Sequence, residues 1–283
     1  MNEKLFIKLQ HWVPQHKLSR IAGKVASCKV KWVKNVFISW FIKRYKVDMS
    51  LAVEENPAAY ACFNDFFTRA LKPGLRPLSR EPHAIVCPAD GSISQIGKIA
   101  QGRIFQAKGQ DYTTEELLGG DEALAKEFTD GNFATVYLAP SDYHRVHMPY
   151  GGKLRSMIAI PGDLFSVNTV TANKVPRLFS RNERAVTIFD TDIGPMAVVL
   201  VGAMIVAGIE TVWDGQVTPL IDREIQTSLY PFQNITLEKG AELGRFKLGS
   251  TAIILFAKNK VKWEPQFVHS SSTRVGVKLA EKC

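Results

Sequence analysis

Three short segments of this chain hold residue types able to do covalent chemistry. Pro88-Ala89-Asp90-Gly91 places a carboxylate at a tight turn after an apolar run. Asp before Gly is common turn chemistry, so Asp90 taken alone reads as a turn former. Residues 139–149 contain two of the six histidines, His144 and His147. A helical two-histidine metal site is usually spaced by four and carries a catalytic Glu, so no metal is expected here. On a strand, residues three apart face opposite ways, which gives the two imidazoles separate jobs. Acid–base work at neutral pH suits histidine. The third segment, Gly244-Arg245-Phe246-Lys247-Leu248-Gly249-Ser250-Thr251, puts a serine at the entrance of an apolar run. Lys247 stands where a G-x-S-x-G nucleophile elbow needs its first glycine, and the G-x-x-x-x-G-K-[ST] order of a phosphate loop is absent. A plain bend into a buried strand remains the alternative. Singly, these segments support no more than a hydrolase.

Such residues need a scaffold. From residue 84 onward, short β-branched or aromatic runs alternate with Gly and Pro, at residues 84–87, 92–96, 133–138, 153–160, 185–189, 196–201, 205–212 and 250–256. That texture predicts a compact β-rich domain. Residues 196–209 are too few to span a bilayer and contain Gly202 and Gly208, so they predict two buried strands. Residues 115–128 predict a helix between strands. Residues 56–71 predict another, with Phe63, Phe66 and Phe67 near one side and Pro73-Gly74 closing it.

The chain has 283 residues, 46% of them hydrophobic and 22% charged, which excludes a largely disordered, collagen-like or polytopic membrane protein. Four scattered cysteines without a C-x-x-C pair argue against a zinc ribbon or a disulfide scaffold and suit a reducing compartment. The net charge of +9 is unevenly placed: residues 1–46 hold eleven Lys and Arg against one acid, a balance of +10 that leaves −1 for the rest. This is a basic arm on a neutral body. Within it, Ile21, Val25, Cys28, Trp32, Val36 and Trp40 recur at helical spacing along one face, and Leu5, Phe6, Leu9, Trp12 and Val13 form a shorter patch before Pro14. A basic amphipathic segment with Trp on its apolar face predicts a helix lying in a membrane interface; the plain alternative is a surface helix packed on the body. Lysines interrupt it, so it is not a signal peptide, and its aromatics align with the aliphatics, which disfavours nucleic acid.

Together the segments closely resemble the bacterial phosphatidylserine decarboxylase family. The resemblance rests on Pro-Ala-Asp-Gly at 88–91, Asp-Tyr-His-Arg-Val-His-Met-Pro at 142–149, Pro-Gly-Asp-Leu-Phe-Ser-Val-Asn at 161–168, Phe-Asp-Thr at 189–191, Ile-Glu-Thr-Val-Trp at 209–213 and Leu-Gly-Ser-Thr at 248–251. Phe63 to Arg69 (Phe-Asn-Asp-Phe-Phe-Thr-Arg) is a further match, and the likeness runs from Tyr45 to the end.

The resemblance implies an α+β protein: a helical membrane-associating region over 1–75 and a β-rich catalytic domain over 76–283. It implies that the chain cuts its own Gly249–Ser250 bond, leaving a large chain 1–249 and a small chain 250–283 as a heterodimer, with a homodimer of heterodimers above that. Ser250 would attack the Gly249 carbonyl to give an ester, and elimination and hydrolysis would turn it into a covalent pyruvoyl group with release of ammonia. His147 would take the serine proton and Asp90 would orient that imidazole, following Ser-His-Asp logic. The pyruvoyl group would form a Schiff base with the serine amine of phosphatidylserine and draw electrons as CO2 leaves. His144 is the expected proton donor to the resulting carbanion, with His147 the alternative. The enzyme would then sit peripherally on the cytoplasmic face of the cell membrane, its arm concentrating an anionic lipid substrate. The competing readings are a lipid-binding protein that never turns over and a serine hydrolase using the same three residues.

Overall fold

A computed structural model describes residues 3–204, 208–220, 222–247 and 250–283. It is an α+β structure, rich in strands, with its longer helices at the start of the chain. The main sheet is built from β1 (Gly91–Lys98), β2 (Asn132–Leu138), β4 (Gly152–Ile160), β5 (Arg184–Thr191), β6 (Gly194–Val201) and β9 (Ser250–Phe256). A second, four-stranded sheet holds β3 (Arg145–His147), β7 (Gly208–Thr211) and β8 (Glu242–Lys247), with Gly215–Gln216 at one edge.

In the main sheet the order runs β4, β5, β6, β9, β2, β1, extended by Gln226–Leu229 and Thr236–Leu237 on β4 and by Ser272–Thr273 on β1. The described pairings within it are antiparallel. β9 is central. It pairs with β6 from Thr251↔Val201 to Phe256↔Met196 and with β2 from Ser250↔Leu138 to Phe256↔Asn132. Every residue of β9 is buried. Ala252, Ile254 and Phe256 enter one core while Ile253 and Leu255 enter the other, so both faces of the strand are covered. That explains its unbroken apolar run, since a strand buried on both faces has no polar side to alternate with.

The predicted strands largely coincide with observed ones. The stretch 196–209 divides between β6 and β7, which lie in different sheets; residues 205–207 fall outside the described residues. Two predicted helices are corrected. Residues 115–128 form two short helices, Thr114–Leu118 and Glu122–Lys126, because Gly119 and Gly120 take φ of +94° and +90° and break the run. Of residues 56–71, only a 3-10 turn at Pro57–Ala59 and the short helix Phe63–Phe67 are helical, because the chain turns there to wedge its phenylalanines under the arm.

The arm forms α1 (Glu3–Trp12), α2 (Gln15–Ala26) and α3 (Lys31–Tyr45), broken at Pro14 and again at residues 27–30. The single face drawn through Ile21 and Trp40 is therefore carried by two helices. None of the described helices is long and apolar enough to cross a membrane. Their burial is inverted. Gln10, Gln15, Ser19 and Lys34 are buried, whereas Leu5, Leu9, Ile21, Val25, Val36 and Trp40 are exposed, with Trp12 at 88% and Trp32 at 73%. The glutamines explain the inward polar side. Gln10 Oε1 accepts from Ser166 N at 2.8 Å, Gln15 Oε1 accepts from Leu164 N at 2.6 Å, and Gln15 Nε2 donates to the Gln10 carbonyl at 2.8 Å. α3 packs Ile38 and Phe41, with Phe37, Ile42 and Tyr45 at the margin, against Phe63, Phe66 and Phe67, and leaves Trp32, Val36 and Trp40 exposed.

Replacing Gln15 by Leu keeps the volume but strands the Leu164 N–H, a loss of about 1–3 kcal/mol. The variant is expected to unfold at lower urea than the parent and to be cleaved faster by protease near residues 27–30. Unchanged protection would show that the glutamines do not hold α1 and α2 to the body.

Candidate active site

Ser250 opens the central strand, fully buried, and its Oγ has no hydrogen-bond partner among the described residues. Residues 248 and 249, the other half of the expected cleavage site, lie outside the described residues. The turn carrying Asp90 is fixed by close backbone approach. A Cβ on Gly91 would fall 2.2 Å from the Tyr137 carbonyl oxygen, so the glycine is demanded by sheet packing as well as by the turn. His147 N donates to the Pro88 carbonyl at 2.7 Å, which locks β3 beside this turn.

His144 is fully buried, its ring centred 4.0 Å from that of Phe67. Its Nδ1 lies 2.8 Å from the Asp142 carbonyl. A carbonyl only accepts, so Nδ1 carries the proton and Nε2 the lone pair; that Nε2 is buried and unpartnered among the described residues. Burial pushes the imidazole down to about 3, with the nearby Arg69 charge acting in the same sense. His144 is therefore neutral, with its Nε2 lone pair held in a dry interior.

His147 is only partly exposed and is fixed the same way. Its Nδ1 lies 2.8 Å from the Gly240 carbonyl, and its Nε2 lies 3.2 Å from the Tyr143 hydroxyl. Burial lowers its pKa from the ordinary value, opposed by the Gly240 carbonyl, Glu242 and Asp90. Burial also pushes the Tyr143 hydroxyl up to about 12, which keeps it a donor to Nε2.

Asp90 does not hydrogen-bond His147, contrary to the expected arrangement. Its carboxylate is forked by Arg76, whose Nε lies 2.9 Å from both oxygens and whose Nη2 also reaches Oδ2, and it accepts from Val275 N at 2.9 Å. A buried carboxylate takes its strongest counter-charge, and a guanidinium fork surpasses a neutral imidazole. The tautomer-fixing role passes to the Gly240 carbonyl. The structure thus gathers Asp90, His144 and His147 around one turn and one short strand, but joins them through Arg76, Tyr143 and Gly240. Tyr143 lay within the 142–149 motif but had no role assigned there, and the other two carried no local signal, because Arg76 lies well upstream of Asp90 and the Gly240 contact is a backbone atom.

With that geometry in place, the comparisons are decisive. A family profile described as phosphatidylserine decarboxylase matches residues 63–281, and a second, described only as PSD, matches residues 5–46. The chain belongs to the phosphatidylserine decarboxylase family. A relative from Pseudomonas putida is 60% identical over 283 residues, covering 99% of this chain and 98% of the relative. One from Pseudomonas fluorescens is 60% identical and covers 99% of each chain. Both are named phosphatidylserine decarboxylase proenzyme. The chain is accordingly a decarboxylase of this family, a lyase of phospholipid biosynthesis.

Nitrogen-15 NMR of histidine-labelled protein is expected to show His144 neutral and protonated on Nδ1 throughout pH 5–8. His147 should acquire charge only below the ordinary imidazole range, because a lowered pKa extends the neutral form to more acid solution. A His144 titration inside that window would refute the dry environment described above.

Proposed function

We propose that this chain is a proenzyme that cuts itself between residues 249 and 250 and then converts phosphatidylserine to phosphatidylethanolamine and CO2 with a pyruvoyl group made from Ser250. The observation that carries this reading is the state of Ser250: first in the central strand, fully buried, its hydroxyl unpartnered among the described residues. An unpaired buried hydroxyl costs about 1–3 kcal/mol, an arrangement that makes sense where the hydroxyl is to be consumed. The same observation supports the fit of the group, since a small uncharged ketone suits a dry slot walled by paired backbone.

His147 is the base for cleavage, because its Nε2 bears the lone pair. Tyr143 holds that nitrogen until the serine proton arrives. Asp90, bound to Arg76, acts on the imidazole through its charge rather than through a direct hydrogen bond. When present, the pyruvoyl group supplies an electron-withdrawing carbonyl to which the substrate's amine adds. His144 is the residue that relays a proton to the carbon that has lost CO2. The ammonium proton leaves as the amine adds, and the amine released at the end takes up a proton from water, so each turnover consumes one proton net. The large chain 1–249 and small chain 250–283 stay together because β9 is paired on both sides.

The inverted arm supports docking on the cytoplasmic face of an anionic membrane. Its exposed tryptophans and aliphatics lie among eleven basic residues, and each such charge near an anionic surface contributes ~1 kcal/mol.

Denaturing mass spectrometry of freshly purified protein should show two chains, the 34-residue one lighter than its serine form by the mass of ammonia. Ser250→Ala and His147→Ala should stay uncut. His144→Ala should cut but lose most decarboxylation. A fully active preparation containing only the intact chain would sink the proposal, and an intact, inactive chain that binds vesicles would favour the lipid-binding alternative.

Vesicles of phosphatidylglycerol and phosphatidylethanolamine should sediment the protein, less at high salt, since screening weakens the charge attraction. Replacing Trp12, Trp32 and Trp40 by Ser should make the residual binding fully salt-sensitive. Binding unaffected by these changes would assign docking to another surface.

A further inference from the structure

Beside Asp90 lies a pocket of about 290 Å³ whose charged walls include Lys46, Arg69, Arg76, Asp142 and Arg274. Arg76 is already matched by Asp90. Arg69 is not. It is 5% exposed, its Nη2 donates to the Ser141 carbonyl at 3.2 Å, and its Nε and Nη1 have no acceptor among the described residues. Both atoms are shielded from water, so solvent does not stand in for the missing partner. No carboxylate forms an ion pair with it among the described residues, and burial lowers its pKa. A desolvated guanidinium without a counter-charge is costly, and an arriving anion offsets that cost.

The surroundings say which anion. Arg69 and His144 hang from successive carbonyls, those of Ser141 and Asp142, so a group bound by Arg69 is held in fixed relation to the His144 imidazole. The Arg69 guanidinium also lies over the Phe66 ring, 5.4 Å from its centre, which limits its rotation. The pocket is lined by Lys46, the left-handed residue that ends α3, so it reaches the end of the helix that carries Trp32 and Trp40 outward.

We infer that Arg69 is the anion-reading residue of the substrate site, taking an acidic oxygen of the phosphoserine headgroup while the acyl chains remain at the arm. This rests on the reading of the chain as a headgroup decarboxylase. The shared chemistry is an anionic oxygen, and it has two sources in that headgroup, the phosphodiester and the carboxylate. Because the guanidinium is desolvated by folding, binding recovers nearly the full value of a charge-assisted hydrogen bond.

The test uses the mature, two-chain protein and short-chain phosphatidylserine. Arg69→Met should mature normally and raise KM roughly 10- to 100-fold, with kcat within about 3-fold. Arg69→Lys, which keeps the charge but loses the fork, should fall between and supplies the same measurement if the Met variant fails to mature. Calorimetric titration identifies the source. Glycerophosphoserine and glycerophosphoethanolamine binding alike assigns the phosphodiester, and binding of glycerophosphoserine alone assigns the carboxylate; either should vanish in the variant. An unchanged KM together with unchanged headgroup binding would overturn the inference. Parent protein that binds glycerophosphoserine through Arg69 without releasing CO2 would instead fault the proposed activity and leave the subsite standing.

Discussion

Polar atoms sealed from water must find partners inside the protein or remain costly, and the buried polar residues of the candidate site divide by whether they meet that demand. Asp90 meets it through the Arg76 fork and Val275 N, and His147 through Gly240 and Tyr143. Ser250 Oγ, His144 Nε2 and two nitrogens of Arg69 do not. The matched groups form the frame, held by strong bonds that fix tautomer and orientation. The unmatched ones are a hydroxyl, a lone pair and a positive charge, and the hydroxyl of Thr251 beside Ser250 shares their state. Low local dielectric strengthens the frame and keeps the unmatched atoms in tension.

Much of the scaffold was legible because it follows short-range rules. Runs of β-branched residues between glycines located the strands of the main sheet, and the unbroken apolar run of residues 252–256 marked a buried strand. The errors were also local in origin. The helix expected over 115–128 took no account of the paired glycines that break it, and the phenylalanines of 63–67 suggested a longer helix than their packing allows. The catalytic candidates were visible as types in motifs, but their wiring was not. Nothing near Asp90 in the chain announces that Arg76 rather than His147 will hold it, since that choice depends on which side chain tertiary packing delivers to a buried carboxylate. A backbone carbonyl such as that of Gly240 has no sequence signature at all.

The arm shows how composition and burial together carry more than either alone. Periodicity admitted two meanings, an apolar stripe turned toward the body or away from it. The glutamines decide between them, because Gln10 and Gln15 cap backbone amides of the segment 164–166 and so claim the inward side for polar contact. α3 goes further, with apolar residues inward at Ile38 and Phe41 and outward at Trp32 and Val36. Its inward neighbour is the aromatic layer that ends at Phe67 against His144, so the outward face of α3 and the buried imidazole are separated by a single packed layer.

The central position of β9 gives the proposed cut a direction in time. While the chain is continuous, the strand reaches its slot between β6 and β2 as part of one polymer, at no cost in concentration. Once the backbone is opened at residue 250, the small chain would be a separate molecule whose five apolar strand residues, 252–256, would have to find that slot from solution, in competition with their own aggregation. Under the proposed cut, the intact chain is the template on which β9 reaches its place. A cut chain would have to regain that place by association, a bimolecular step that the intact chain never faces.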